Sequence, residues 1–113
     1  MYEIDRLKTS IWVQAQIQLC QQQHLPMMVV RKGHEDAGMV IVKQDLLNGH
    51  CHVWMQQRDH QGKLVWMEKP AAGPVTLSEA DKFIERQISF DEDLWLIEVE
   101  DPKSLYHPED IMQ

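Results

Sequence analysis

His50-Cys51-His52 is the stretch with the plainest chemical potential in this chain. Two imidazoles at i and i+2 on an extended strand point the same way, and that is half of a zinc site. His34, Glu35 and His60 are the side chains that could complete it. The local sequence argues for a different use. Asn48-Gly49 is a strong two-residue hairpin signal. Such a turn pairs Leu47 with His50, Leu46 with Cys51, Asp45 with His52 and Lys43 with Trp54. His52 then meets a carboxylate and Lys43 an indole, ordinary cross-strand pairs at about 0.2–1 kcal/mol each. Cys51, Val53 and Met55 face a core with Val40 and Val42. Metal binding or metal-dependent catalysis through His50 and His52 is therefore the second reading, and no metal or cofactor is expected.

Other chemistry is thinner. Asp91, Asp93, Glu98 and Glu100 could act as general acids, but along a strand the two glutamates need only form an exposed rim. Asp91-Glu92-Asp93 lacks the glycine and ligand spacing of a calcium loop. Cys51 has no local cation to lower its pKa. Ser10, Ser78, Ser89 and Ser104 fall in no nucleophile-elbow pattern. Gly33 and Gly38 in RKGHEDAG precede no helix that could cradle phosphate. No catalytic residue is assigned.

The elements that position these residues read as α+β. Residues 9–24 alternate like a strand, but their length and their Ala, Gln and Leu content favour a helix capped by Thr9 or Ser10. Ile11, Trp12, Ala15 and Leu19 form its apolar stripe, and it ends before Pro26. Strands are expected at Pro26–Lys32, Gly38–Leu47, His50–Arg58 and Lys63–Lys69. Thr76 and Glu79 form a capping box opening a second helix, whose buried stripe is Leu77, Ala80, Ile84 and Ile88, widened by Phe83. A last strand covers Asp91–Glu100, apolar on both sides at first and ending in carboxylates that reach water. The expected architecture is a mostly antiparallel sheet of about five strands, a four-strand meander plus the C-terminal strand, with two helices. The last strand lies beside the first in the order 5-1-2-3-4, and Asp101–Gln113 is a loose tail.

At 113 residues the chain is a single domain. The opening MYEIDRLK has no apolar signal core and no apolar run is long enough to span a bilayer. Cys20 and Cys51 sit in apolar contexts without CxxC spacing, so free thiols in a reducing cytoplasm are expected. The net charge of −7 is uneven: residues 1–75 carry +1 and residues 76–113 carry −8. The acidic third repels phosphate backbones, which excludes nucleic acid as a natural partner.

Four tryptophans are a heavy load for this length. Trp12 and Trp95 read as core. Trp54 and Trp66 fall on a half-polar sheet face and are candidate contact residues, unless the first helix or the tail covers them. Several strands are apolar on both sides while only two helices can act as lids, which points to self-association.

RLKTSIWVQA (Arg6–Ala15), LPMMVVRKGHEDAG (Leu25–Gly38) and IERQISFDEDLWLIEVED (Ile84–Asp101) resemble a bacterial family, domain of unknown function family 1491. The similarity covers nearly the whole chain. The family brings no activity, substrate or cofactor, and the resemblance supports a helix at the start. The positions it marks include Arg31, Asp36, Arg86, Glu98 and Glu100, which, with Trp54 and Trp66, make up the expected binding residues. Arg31 and Arg86 are expected to pair with Glu98, Glu100 or Asp36, as a structural network or a ligand-binding rim. The functional expectation is a non-enzymatic cytoplasmic interaction module, a homo-oligomer or the binder of a protein partner.

Overall fold

The structure, a computed structural model, describes residues 8–108. In chain order the elements are α1 (Thr9–Gln22), β1 (Met27–Arg31), β2 (Val40–Asp45), β3 (His50–Arg58), β4 (Leu64–Glu68), β5 (Val75–Thr76), α2 (Leu77–Phe90) and β6 (Trp95–Glu100). The fold is α+β, as expected. One sheet runs β1-β6-β2-β3-β4, with the short β5 paired to β3 past the end of β4.

The strand order departs from expectation in one place. β6 lies antiparallel beside β1, but it inserts between β1 and β2 and runs parallel to β2. Side-chain chemistry explains the choice. Trp95, Ile97 and Val99 are buried on the α1 side of this strand, while Leu94 just before it is buried on the α2 side with Leu96 packed there, so it belongs in the middle of the sheet. Helix α2 supplies the crossover that a parallel pair requires.

The β2–β3 hairpin is one residue out of the expected register. Residues 47–49 form a three-residue loop closed by Leu46 N–H to the His50 carbonyl at 3.1 Å, with Leu47 at φ +58 and Gly49 at φ +87. Lys43 is therefore opposite Val53, Gln44 opposite His52 and Val42 opposite Trp54. A slip of one residue exchanges the two faces of a strand. Gln44 joins Trp54 beneath α1, and Lys43 moves to the α2 side. Val40 and Val42 likewise lie on the α1 side, while Cys51 and Val53 share the other face with Ile41.

Helix α2 forms as its sequence dictates. Thr76 Oγ1 accepts from Glu79 N–H at 3.1 Å and donates to the Glu79 carboxylate at 2.9 Å. Ala80 and Ile84 are buried, with Leu77, Phe83 and Ile88 packed around them. Helix α1 is different. It has no side-chain cap, and neither Thr9 nor Ser10 plays that part. Instead the carbonyls of Asp36 and Glu35 accept from the N–H groups of Thr9 and Ser10, at 3.3 and 2.9 Å. Its buried face is Trp12, Val13, Gln16 and Cys20, while the expected Ile11 and Leu19 are 49% and 38% exposed.

Residues 33–38, which meet α1 in this way, are clamped on the start of β6. His34 N–H donates to the Asp93 carbonyl at 3.0 Å, and the Trp95 indole donates to the His34 carbonyl at 2.7 Å. Gly33 and Gly38 enclose the Asp93 carbonyl so closely that a Cβ would lie 2.1 and 2.4 Å from its oxygen. The glycines of RKGHEDAG serve close packing of backbone on backbone.

The segment after β6 is not loose over its described part. Asp101 is fully buried, Tyr106 is 4% exposed and Pro108 is enclosed. The rest of the expected tail, 109–113, lies outside the described residues.

Candidate functional site

The residues expected to bind do not converge. Arg31, half-buried, donates through Nη2 to the Glu92 carbonyl at 2.9 Å. Asp36 is exposed and lies 3.7 Å from Lys8 Nζ. Arg86 is exposed on α2. Glu98 is 3.6 Å from Lys43 Nζ, which also bonds Asp81 at 3.0 Å. Glu100 is half-buried at the end of β6, where its N–H donates to the Pro26 carbonyl at 2.9 Å. The expected arginine–glutamate pairing is thus replaced by lysine partners for Glu98 and Asp36. The cause at Glu98 is the insertion of β6 beside β2, which sets Glu98 opposite Lys43.

Trp54 and Trp66 lie on the α1 side, both half-buried. Trp66 stacks on Trp12 with ring centroids 5.4 Å apart. Trp54 donates its indole N–H to Gln44 at 2.9 Å and lies against the His52 ring, 6.0 Å between centroids. Helix α1 covers part of this face, and the large apolar surface left open lies elsewhere.

His52 does meet a carboxylate, but Glu68 of β4 takes the place expected of Asp45, with Nδ1 2.6 Å from Oε1. An imidazole oriented by a carboxylate is half of a general-base arrangement. No thiol completes it, because Cys51 lies on the opposite face. Burial pushes the Cys51 thiol up to about 11; Lys43 opposes that while Asp45, Asp81 and Glu98 add to it. Cys20 is likewise pushed up to about 11, by burial and then by Asp101. Both are free, buried cysteines, the state in which a thiol is least nucleophilic. His50 is exposed at the hairpin. Among the described residues, no three His, Cys, Asp or Glu side chains come together as a metal site, and no helix is long and apolar enough to cross a membrane.

Two features went unread in the sequence. The first is a buried polar chain. Asp101 Oδ1 accepts from Leu105 N–H at 2.9 Å, and Oδ2 accepts from Tyr106 N–H at 2.8 Å and from the Gln44 amide at 2.7 Å. Gln44 also donates to the Tyr106 carbonyl at 3.1 Å, and the Tyr106 hydroxyl donates to Gln16 at 2.5 Å. Burial raises the Asp101 carboxyl, but the Leu105 and Tyr106 N–H groups, Gln44 and nearby His107 outweigh it. The net result is a carboxyl held below its ordinary value. Glutamines inside apolar runs were the available signal, since a buried amide must find partners.

The second is the β1 edge. Met28, Val29 and Val30 are 51%, 39% and 53% exposed on a strand paired only with β6 among the described elements. Beside its start lies an open groove of about 510 Å³ between α1 and the sheet, lined by Ile17, Gln21, His24, Leu25, Pro26 and Met27.

An open, mostly antiparallel sheet with one helix on each face and an apolar edge defines the class. The family model described as protein of unknown function, DUF1491, matches residues 7–107, and the chain belongs to that family. It is similar to a crystal structure of a DUF1491 family protein from Caulobacter crescentus CB15, with 32% identity and a TM-score of 0.74 over 85% of this chain and 89% of that one. An NMR structure of a DUF1491 family protein from the same organism is 31% identical, with a TM-score of 0.75 over 87% and 88%. The solution structure of protein Atu0922 from A. tumefaciens is 27% identical, with a TM-score of 0.72 over 85% and 86%. No curated protein matches the chain.

Proposed function

We propose that this chain is a cytoplasmic, non-enzymatic binding module that self-associates by pairing the β1 edge of two copies. The observation that carries this reading is the run Met28-Val29-Val30, exposed on an edge strand. Chains blunt such edges with charge, proline or a bulge. Here a bulge falls between Val29 and Arg31, yet no charge interrupts the apolar run. The edge is also self-complementary. An antiparallel pairing centred on Val29 sets Val29 against itself, Met28 against Val30, and Arg31 against Met27, so no like charges meet. Of the residues expected to bind, Arg31 lies at this edge. Asp36, Trp54, Trp66, Arg86, Glu98 and Glu100 then serve the elements behind it.

Sedimentation velocity from micromolar to millimolar protein tests the proposal. The wild type is expected to dimerise as concentration rises. Val29→Lys, with an unchanged circular dichroism spectrum, is expected to stay monomeric. A wild type that is monomeric throughout, or a variant that dimerises equally well, overturns it.

A further inference from the structure

Beyond β6 the chain alternates between wet and dry. Pro102, Lys103, Ser104 and Leu105 are exposed, while Asp101, Tyr106 and Pro108 are buried. One carboxylate organises the passage. Three donors converge on Asp101, two of them backbone N–H groups from the segment itself and one the Gln44 amide from the sheet. Tyr106 completes the closure, with its carbonyl on Gln44 and its hydroxyl on Gln16 of α1. Beneath lies the lower end of the α1-side core, where Tyr106 packs in one cluster with Cys20, Leu25 and Val99. Leu25 also lines the open groove beside β1.

We propose that Asp101–Pro108 is a releasable strap, latched by the Asp101 carboxylate, whose opening uncovers the end of the α1-side core and deepens the groove beside β1 while the rest of the fold stays closed. The strap's ties converge on one carboxylate. A carboxylate is an acceptor only, and the donors it satisfies are costly to leave orphaned in a dry site. Apart from that latch, Tyr106 and Pro108 are the strap's buried anchors. Between the latch and Tyr106, Pro102, Lys103, Ser104 and Leu105 are exposed, and segments with such exposed backbone open locally, below the free energy of global unfolding. The strap is independent of the β1 pairing and stands whether or not the chain dimerises.

The two cysteines report on it. Cys20 is 2% exposed in the core cluster that holds Tyr106, and Cys51 is fully buried on the α2 side. Asp101→Asn turns one acceptor oxygen into a donor facing other donors. Thiol labelling of the full chain, resolved by peptide mass spectrometry, is expected to quicken roughly tenfold or more at Cys20, as the loss of a charge-assisted hydrogen bond implies. Cys51 should keep its wild-type rate. Tyr106→Phe, which removes the hydroxyl that bonds Gln16, is the milder variant should Asp101→Asn unfold the chain, and it should also quicken Cys20 alone. Both thiols quickening together in both variants, or neither changing in Asp101→Asn, overturns the strap.

Discussion

The two helices cover one sheet by opposite means. α2 is a local object: it opens on its own capping box, buries Ala80 and Ile84 in a simple stripe, and meets the sheet's charges at Lys43 through an Asp81 that is 58% exposed. α1 is assembled from a distance. Its first N–H groups are received by carbonyls of residues 35 and 36, and its buried Gln16 is bound by a tyrosine 90 residues away. A self-capped amphipathic helix needs only something apolar to lie on. A helix whose caps and polar partners come from elsewhere is specified by the fold around it, and damage at a distance should release it.

The largest expected effect follows from that contrast. Gly33→Ala puts a Cβ 2.1 Å from the Asp93 carbonyl and 2.7 Å from the Trp95 ring, so the clamp that receives α1 must shift. A loss on the order of 3 kcal/mol or more in urea denaturation is expected, in the range reserved for steric damage to a close-packed site. Hydrogen exchange should show the first turn of α1 opening before α2. A variant within about 1 kcal/mol of the wild type, the typical surface-to-core divide, would mean that α1 does not depend on the clamp.

Asp101 comes next, and its sign can be worked out. The carboxyl titrates below its unfolded value, near 4. Its contribution is therefore complete above that pH and is lost as pH falls through the folded value. Charge-assisted hydrogen bonds of this kind contribute about 1.5–3 kcal/mol. Urea midpoints of the wild type and Asp101→Asn, compared from neutral to acid pH, should differ at neutral pH and draw together below about pH 4. A gap that ignores pH would break the link between the buried polar chain and the carboxylate.

The same contrast separates what the residues announced from what they concealed. Thr76 with Glu79 and the Ala80–Ile84 stripe were legible because their interactions are local. The strands were legible from their apolar runs. The order was not, because both β1 and β6 read as apolar and only packing assigns the centre to the one with Trp95, Ile97 and Val99 buried on one side and Leu94 and Leu96 packed on the other. The hairpin failed by one residue because Leu47 takes a left-handed conformation that leucine does not advertise. That single slip carried Lys43 away from Trp54 and brought Gln44 to it. Asp101 read as the start of a loose tail, and it is dry because donors from Gln44 and from the chain beyond it close around it. Long-range polar contacts leave little periodic trace.

The smallest effect belongs to the α2 side. Burial lowers the Lys43 ammonium, but the hydrogen bond to Asp81 and the charges of Asp81 and Glu98 overcome it, and the group is held above its ordinary value. A lysine raised in the folded state contributes stability that is present below its unfolded value, about 10.4, and lost as pH rises through the folded one. Because Asp81 is more than half exposed, Asp81→Asn should cost no more than about 0.5–1 kcal/mol. That loss should shrink at high salt, since an exposed partner is screened. Chemical denaturation at low and high ionic strength reads both quantities. A loss equal to that of Asp101→Asn and indifferent to salt would place buried, specific polar wiring under both helices, and the distinction between a self-specified cover and a fold-specified one would no longer hold.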